Sequence, residues 1–394
     1  MIHRPATYAR LFAVASGALA LNIAATTAVP EAQGNAPYVI GAVLTESGEG
    51  ANFGQPSADA IRRLVDYTNS HGGVKGHKIE LRLQDDGGNT QQARAAFSQL
   101  ADDKNVVGII GSSASPASLA IAPVADDKKI VDLTLASSPK LSNPPRPYVF
   151  QFPVPTALRA KALYDEMKRR KIAKIAVFVS NDDYGQVSEK ILDDGAKAAG
   201  IAVADTERFN PASPNVDSEV TRAKGNGVQA FIVFSQDPGS ALVAKAMVNQ
   251  GVTLPAYADS PAVNEGFLRA AGASSSRWVI VTTNIDVADL VPKNDPSYKP
   301  IQTLMSLYPK GGQKPNHFSG TGADAYGVLI AALAKVGPDR AKIRETIETM
   351  RNFAGTTGTY NFSAQAHQGV GAEGLKLVSG AVVTGRGLSW KLVH

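Results

Sequence analysis

The chain has 394 residues, of which 44% are apolar and 19% charged, and its formal net charge is +5. This composition is typical of a globular protein long enough for two lobes with separate cores, and it excludes a disordered or fibrous chain. The chain has no cysteine, which excludes disulfides, thiolate metal sites and a lipid-accepting cysteine. Basic residues are spread among acidic ones without interleaved aromatic residues, so we expect no nucleic-acid partner.

The first residues have the pattern of a secretory signal peptide. Arg4 and Arg10 flank the entry to an apolar run that is rich in small residues. We predict cleavage near Ala28, with Ala32 and Ala36 as alternative sites. The run is too short and too rich in alanine to favour a membrane anchor instead. The pattern therefore predicts a free protein of the cell envelope.

Strand-like and helix-like segments alternate after this leader. The apolar run 37–44 precedes an amphipathic helix that contains Ile61 and Val65, and 78–85 alternates as a half-buried strand does. The elements predicted next are helix 91–103, strand 106–110, helix 116–127, strand 130–135 and strand 148–155. Such a βαβ series implies a parallel sheet with helices on both faces.

A second series of the same kind follows. Its predicted elements are helix 158–170, strand 174–179, helix 184–199, strand 200–205, strand 230–234, helix 239–250, strand 254–258, a short helix over 263–271 and strand 277–283. Helices predicted over 297–308, 321–336 and 339–350 still need a sheet to cover. The most economical assignment returns them to the first lobe.

The predicted fold class is therefore α/β, with two doubly wound parallel-sheet lobes joined by a three-segment hinge. We predict a signal peptide over 1–28, a first lobe from 37–153 plus 284–361, and a second lobe from 154–283 plus 362–394. The chain would cross between the lobes near 152–155, 282–284 and 360–363. Three connecting segments permit bending and resist twisting.

One short motif occurs in both series: an aromatic residue followed by Gly and Gln, at Phe53 and again at Tyr184. Each copy lies between an apolar run and an amphipathic helix. In open α/β sheets, ligands bind beyond the carboxyl ends of the strands, where loops lead into helices. The doubled motif therefore predicts a cleft with one such edge on each lobe.

A serine-rich loop follows the strand 106–110. Ser112, Ser113 and Ser115 lie between Gly111 and Pro116, which opens the next helix. Hydroxyls and unpaired backbone N–H groups at a helix N-terminus form a carboxylate cradle. Plain N-capping by Ser113 or Ser115 is an equally good explanation of the loop alone. The doubled cleft favours binding.

The sequence resembles the type I periplasmic binding proteins, and among them the leucine/isoleucine/valine-binding receptors of ABC transporters. The resemblance runs from Tyr38 to about Val393, and the segments that carry it are 69–86, 106–130, 180–186 and 321–337. It implies a Venus-flytrap fold, a monomer without cofactors, and a small carboxylate-bearing ligand that is passed to a membrane permease. It also implies a periplasmic location.

The resemblance extends to residues that contact the ligand. It implies contacts from Leu135 and Ser137 to the same carboxylate, and from the Phe53 and Tyr184 rings to the apolar part of the ligand. Each ring could instead pack under its own loop. The predicted ligand-binding residues are Phe53, Ser112, Ser113, Ser115, Leu135, Ser137, Tyr184, Gln236, Asp237, Asp259 and Ser260.

The predicted function is transport, not catalysis. The six histidines show no metal-ligand spacing, and the chain has neither a phosphate-binding loop nor a GxSxG elbow. We expect a receptor for a branched-chain or other apolar amino acid, whose ammonium needs a buried anion. Where amino-acid binders carry that acid, this chain has Ser260, with Asp259 one position earlier. The alternatives are an acid without an amine, or a ligand sensor of the same fold.

Overall fold

The computed structural model describes residues 35–48, 50–383 and 387–393. The predicted signal peptide lies outside the described residues. The strands are β1 Asn35–Leu44, β2 His77–Asp85, β3 Val106–Ile110, β4 Asp132–Thr134, β5 Val149–Gln151, β6 Lys174–Ser180, β7 Ala202–Phe209, β8 Ala230–Phe234, β9 Ala256–Ala258, β10 Trp278–Thr283, β11 Phe353–Ala354, β12 Thr359–Tyr360, β13 Leu375–Val383 and β14 Gly387–Leu392. The helices are α1 Ala51–Ser70, α2 Thr90–Asp102, α3 Ser115–Lys128, α4 Thr156–Arg169, α5 Asp183–Ala199, α6 Asp217–Gly225, α7 Gly239–Asn249, α8 Glu265–Ala271, α9 Tyr298–Ser306, α10 His317–Val336 and α11 Arg340–Glu348. In these ranges no helix has both the length and the apolar character to cross a bilayer.

The first lobe is built on a five-stranded parallel sheet with the order β2-β1-β3-β4-β5. One core lies between this sheet and helices α1, α10 and α11, and a second core lies on the other face, under α2 and α3. Because helices cover both faces, the central strands are continuously apolar, as in the wholly buried run Val106–Ile110. Helices α10 and α11, which follow β10 in the chain, thus cover one face of the first sheet.

The second lobe is built on a seven-stranded sheet with the order β14-β13-β10-β9-β8-β6-β7. The five strands from β6 to β10 are parallel, whereas β13 and β14 form an antiparallel hairpin on the β10 edge. Helices α6, α7 and α8 cover one face, and α4 and α5 cover the other. The fold class is thus two α/β lobes, as predicted, with an antiparallel addition to the second sheet.

Two segments that pass between the sheets are tied together at the buried Tyr360. Its hydroxyl lies 2.8 Å from Thr357 Oγ1, 3.1 Å from Asp324 Oδ2 and 3.2 Å from the carbonyl oxygen of Phe152. The complete burial of Asp324 raises the pKa of its carboxyl group. The segment that leaves β5 and the segment that follows β12 are therefore braced against α10.

Several predicted boundaries are wrong for local reasons. Helix α1 begins at Ala51, so Phe53 lies in its first turn and not in a loop. Helix α10 begins at His317, before the predicted 321, because the Asn316 side chain accepts hydrogen bonds from the backbone N–H groups of Phe318 and Ser319. The predicted strand 148–155 ends at Gln151, since the prolines beyond it lack the N–H that a ladder needs.

Helix α6 and the β13–β14 hairpin were not predicted. Helix α6 buries only Val220 and Ala223, so it has little apolar periodicity to detect.

Candidate functional site

The repeated aromatic-Gly-Gln motif has the same structural cause in both lobes. A Cβ atom on Gly54 would lie 1.7 Å from the carbonyl oxygen of Thr45, and a Cβ atom on Gly185 would lie 1.7 Å from that of Ser180. Only glycine therefore allows the first turn of α1 or α5 to press against the end of the preceding strand. This close approach places the preceding aromatic ring at the carboxyl edge of each sheet.

Each of these rings contacts its own lobe. The half-buried Phe53 ring lies 5.6 Å from the Phe318 ring, between centroids, and Ser57 Oγ donates to the Phe318 carbonyl at 2.9 Å. The Tyr184 hydroxyl donates to Asp259 Oδ2. The two rings thus differ: one packs against an aromatic neighbour, and the other is held by a carboxylate.

Ser112 serves to brace two loops. Its side chain is completely buried, and its hydroxyl donates to Asp86 Oδ2 at 2.6 Å, while Thr45 Oγ1 donates to the other oxygen of Asp86 at 2.7 Å. The Ser112 carbonyl in turn accepts a hydrogen bond from Ser118 Oγ at 2.8 Å. Asp86 therefore joins the loops that follow β1 and β3, and the hydroxyl of Ser112 is already used.

Ser113 is placed differently. Its Oγ atom is buried, yet it has no hydrogen-bond partner among the residues that the structure describes. Ala114 is the N-cap residue of α3, and no side chain caps that helix, so neither Ser113 nor Ser115 is an N-cap. The half-buried Ser115 is the first residue of α3. An unused hydroxyl and free N–H groups thus lie together at the start of α3, where an anion is favoured.

The loop after β4 is shaped by Gln151, whose side-chain amide donates to the carbonyl oxygens of Ala136 at 2.7 Å and Ser138 at 3.0 Å. Ser137 lies between them and is half-buried. The Leu135 side chain is buried in the core under α1, α10 and α11. Only the backbone of Leu135 can contact a ligand, whereas the Ser137 hydroxyl is partly accessible.

On the second lobe, both carboxylate oxygens of the buried Asp259 accept hydrogen bonds. Its Oδ1 atom accepts from Arg159 Nη1 at 2.8 Å and from the Ser260 backbone N–H at 2.7 Å, and its Oδ2 atom accepts from the Tyr184 hydroxyl. The Ser260 hydroxyl lies 3.2 Å from Asp259 Oδ1 and 3.3 Å from Arg159 Nη1. The structure thus brings three of the predicted residues, Tyr184, Asp259 and Ser260, into one network.

Electrostatics fix the charge states in this network. Burial lowers the pKa of Arg159, but the adjacent carboxylate of Asp259 outweighs it, and the net pKa is raised. Burial and the same carboxylate raise the pKa of Tyr184 well above its ordinary value, so its phenol stays protonated and donates. Arg159 Nη2 also donates to Thr156 Oγ1 at 3.0 Å. The network is therefore a buried ion pair with a neutral phenol.

Gln236 and Asp237 follow β8 and lie apart from this network. Gln236 is half-buried, and its carbonyl oxygen accepts from the Gly239 N–H at 2.8 Å. Asp237 is exposed and accepts from the Asn264 side-chain amide at 3.1 Å. Neither residue forms a hydrogen bond with Asp259 in the described part of the chain.

The predicted residues therefore form two groups, one at the carboxyl edge of each sheet. No hydrogen bond within residues 50–383 joins the serine loops of the first lobe to the Asp259 network of the second. Sequence reasoning missed Asp86, Gln151, Phe318 and Arg159. Of these, Arg159 had a signal: it lies four residues before Leu163, on the apolar stripe of α4, where an arginine must find a buried partner.

Two surface cavities lie elsewhere. One of about 550 Å³ lies beside α5 and β7 and has a charged lining, and one of about 330 Å³ lies between α1, α9 and α10 and has a mostly apolar lining. No predicted ligand-binding residue lines either cavity. Among the described residues there is also no cluster of three or more side chains that could hold a metal ion.

Comparison with known proteins decides the family. The model of the periplasmic binding protein family matches residues 37–375. The chain belongs to the periplasmic binding protein family. Members of this family bind solutes and are not enzymes, and the family implies a periplasmic or extracellular location.

Two relatives of this periplasmic binding protein share about a quarter of its sequence or less over most of their length. An "Amino acid binding protein" of Pseudomonas aeruginosa is 22% identical over 318 residues, which cover 80% of this chain and 83% of the relative. The "Leu/Ile/Val-binding protein homolog 7" of Brucella abortus is 25% identical over 354 residues, covering 86% and 87%.

Solved structures show the same fold. A periplasmic binding protein type 1 from Bordetella pertussis has a TM-score of 0.76 and 22% identity, and the match covers 91% of this chain and all of that one. The branched-chain amino acid transporter substrate binding protein LivJ from Streptococcus pneumoniae, solved with isoleucine, has a TM-score of 0.72 and 18% identity, covering 91% and 99%. These likenesses establish the fold that this periplasmic binding protein shares with them.

Proposed function

We propose that the chain is the solute-binding receptor of an ABC importer, exported with a cleaved signal peptide, and that it traps a small solute bearing a carboxylate and an apolar portion. One observation carries the proposal: the buried Ser113 hydroxyl has no partner in the described part of the chain, and it lies at the start of α3, which no side chain caps. Charge-assisted hydrogen bonds from such donors are the strong ones, contributing roughly 1.5–3 kcal/mol each. The names of the curated relatives support the same class of ligand.

In this proposal the ligand lies between the two sheet edges. Ser113, Ser115, Ser137 and the Leu135 backbone hold the carboxylate, and the Phe53 and Tyr184 rings contact the apolar portion from opposite lobes. Gln236, Asp237 and Ser260 form the polar rim of the second lobe. Ser112 and Asp259 hold the two loop systems in place through Asp86 and Arg159.

Binding is coupled to closure of the lobes. A ligand held first by one lobe gains the contacts of the other only in the closed form, so its higher affinity for that form shifts the population. The closed receptor is then the form that a permease recognises. Because no side-chain bond of the described residues ties the serine loops to the Asp259 network, closure does not first have to break one.

Two ligand classes have a carboxylate and an apolar portion: apolar amino acids, and carboxylic acids that lack an amine. The names of the relatives favour the first class. The pairing of Asp259 with Arg159 favours the second, because a zwitterion needs a free buried anion.

The proposal is tested by calorimetry on the exported protein with carboxylates and their matched amides, such as 4-methylpentanoate and 4-methylpentanamide. The carboxylate should bind at least tenfold more tightly, since only it gains charge-assisted bonds at the start of α3. Equal binding of the acid and the amide would refute a carboxylate site. Uptake of the bound acid by cells with and without this chain then distinguishes an importer receptor from a sensor.

A further inference from the structure

We propose that the Arg159 guanidinium takes the place of a ligand ammonium beside Asp259, so that the receptor selects carboxylic acids that lack an amine. This inference rests on the proposed function and names its ligand class. Arg159 is thus a specificity-determining residue that acts through Asp259.

The first reason is that both oxygens of Asp259 already accept hydrogen bonds from the protein. Both of its oxygens are engaged, one by Arg159 and the Ser260 backbone and the other by the Tyr184 hydroxyl, and the residue is 1% exposed. A ligand ammonium that binds Asp259 would have to share its oxygens with donors that the protein itself supplies, or displace one of them. Displacing Arg159 would leave a buried guanidinium unpaired, which is strongly unfavourable.

The second reason is the net charge of the cluster. The positive charge of Arg159 and the negative charge of Asp259 cancel, and Tyr184 is neutral, so the cluster gives an approaching cation little net attraction. Arg159 is 8% exposed, and its Nε–H group has no partner among the described residues. That group is a donor, so it offers no acceptor to which a ligand cation could bind.

The third reason is that other acidic groups at this edge also accept hydrogen bonds from the protein. Asp182 caps α5, accepting from the Gly185 N–H at 2.8 Å and from Ser180 Oγ at 2.7 Å. Asp237 accepts from the Asn264 side-chain amide, and partial burial raises the pKa of its carboxyl group. Asp286, which follows β10, accepts from Thr282 Oγ1 at 2.6 Å and from the His317 N–H at 2.8 Å. A ligand ammonium at any of these carboxylates would therefore compete with donors of the protein.

The experiment compares ligand pairs that differ only by the amine: leucine with 4-methylpentanoate, and phenylalanine with 3-phenylpropanoate. Dissociation constants are measured by calorimetry on the exported wild-type protein. The acid of at least one pair should bind at least tenfold more tightly than its amino acid. If leucine or phenylalanine binds as tightly as its matched acid, the inference is overturned, although the proposed carboxylate site stands. If all four fail to bind, the proposed function fails too.

A variant isolates the role of Arg159. Arg159→Met removes the internal cation and leaves Asp259 uncompensated, so the affinity for leucine should rise at least tenfold and the preference for the acid should shrink or reverse. Arg169→Met is the matched control, because Arg169 lies on the same helix, is 57% exposed and pairs with Glu166 instead. A folded Arg159→Met protein with the wild-type preference would overturn the inference.

A second substitution keeps the test informative if the buried carboxylate unfolds Arg159→Met. Arg159→Lys retains the positive charge but loses the planar fork, so the preference for the acid should persist. A switch of Arg159→Lys to amino acids would contradict the assigned role. The wild-type comparison of matched pairs decides the ligand class without any variant.

Discussion

The adjacent serines of the loop after β3 should respond in opposite ways to the same substitution. Ser113→Ala removes a buried hydroxyl that has no partner in the described part of the chain, so the free energy of unfolding of the free protein should stay the same or rise. The same change should weaken binding of 4-methylpentanoate by about 1.5–3 kcal/mol, the contribution of a hydrogen bond to a charged group. At 1.4 kcal/mol per factor of ten, the affinity falls by roughly 10- to 150-fold.

Ser112→Ala is the matched control. It removes a 2.6 Å hydrogen bond to the buried Asp86, so it should lower the free energy of unfolding by about 1.5–3 kcal/mol. Urea unfolding of the ligand-free proteins and calorimetry with the acid measure the two effects separately. A Ser113→Ala protein whose affinity stays within twofold of the wild type would refute the cradle, and a Ser112→Ala protein of wild-type stability would refute the brace.

Four further predictions concern stability, closure and export. The buried Asp132 carboxyl has no partner in the described residues, and burial and the charge of Asp126 raise its pKa well above 3.8, so the folded protein keeps a proton that the unfolded chain loses. The contribution of Asp132 to stability therefore falls as the pH rises above 3.8, and the stability advantage of Asp132→Asn should grow by up to about 1.4 kcal/mol per pH unit. Urea unfolding at several pH values measures this advantage, and a constant difference would contradict the prediction. Gly185→Ala should lower the melting temperature, because its Cβ would lie 1.7 Å from a backbone oxygen, while the control Gly225→Ala, with nothing within 4 Å, should be neutral or stabilising. Small-angle scattering should show a more compact protein at saturating ligand, and identical curves would argue for a rigid receptor. Mass spectrometry of the exported protein should find an N-terminus between Val29 and Pro37, and recovery of intact chain in the membrane pellet would argue for an anchor.

The alternation of strands and helices could be predicted from the sequence alone. A buried strand such as Val106–Ile110 is a short continuous apolar run, whereas an amphipathic helix such as α1 has apolar residues at helical spacing, so the two patterns can be told apart. The antiparallel hairpin at the end of the chain escaped prediction, because its pairing with β10 depends on a partner that is distant in the sequence. Local pattern cannot identify such a partner.

The roles of individual site residues were harder to predict than their positions. Ser112 and Ser113 are identical in type and adjacent, yet one hydroxyl is bonded to Asp86 and the other has no partner among the residues that the structure describes. That difference depends on which side of the loop faces the end of β2, which the sequence does not encode locally. The sequence likewise predicts that Asp259 could pair with a ligand ammonium, because its actual partner, Arg159, lies one hundred positions away in the chain.

The antiparallel hairpin also has a consequence for how the chain folds. Strand β10 ends at Thr283, whereas its neighbour β13 begins only at Leu375, and all of α9, α10 and α11 lie between them. Pairing at such a long sequence separation is slow, because loop closure must precede the contacts that reward it. Until β13 has been synthesised, β10 remains an open edge that another strand could join. Strands β13 and β14 therefore protect the edge of the second sheet, and a chain that lacks them should aggregate.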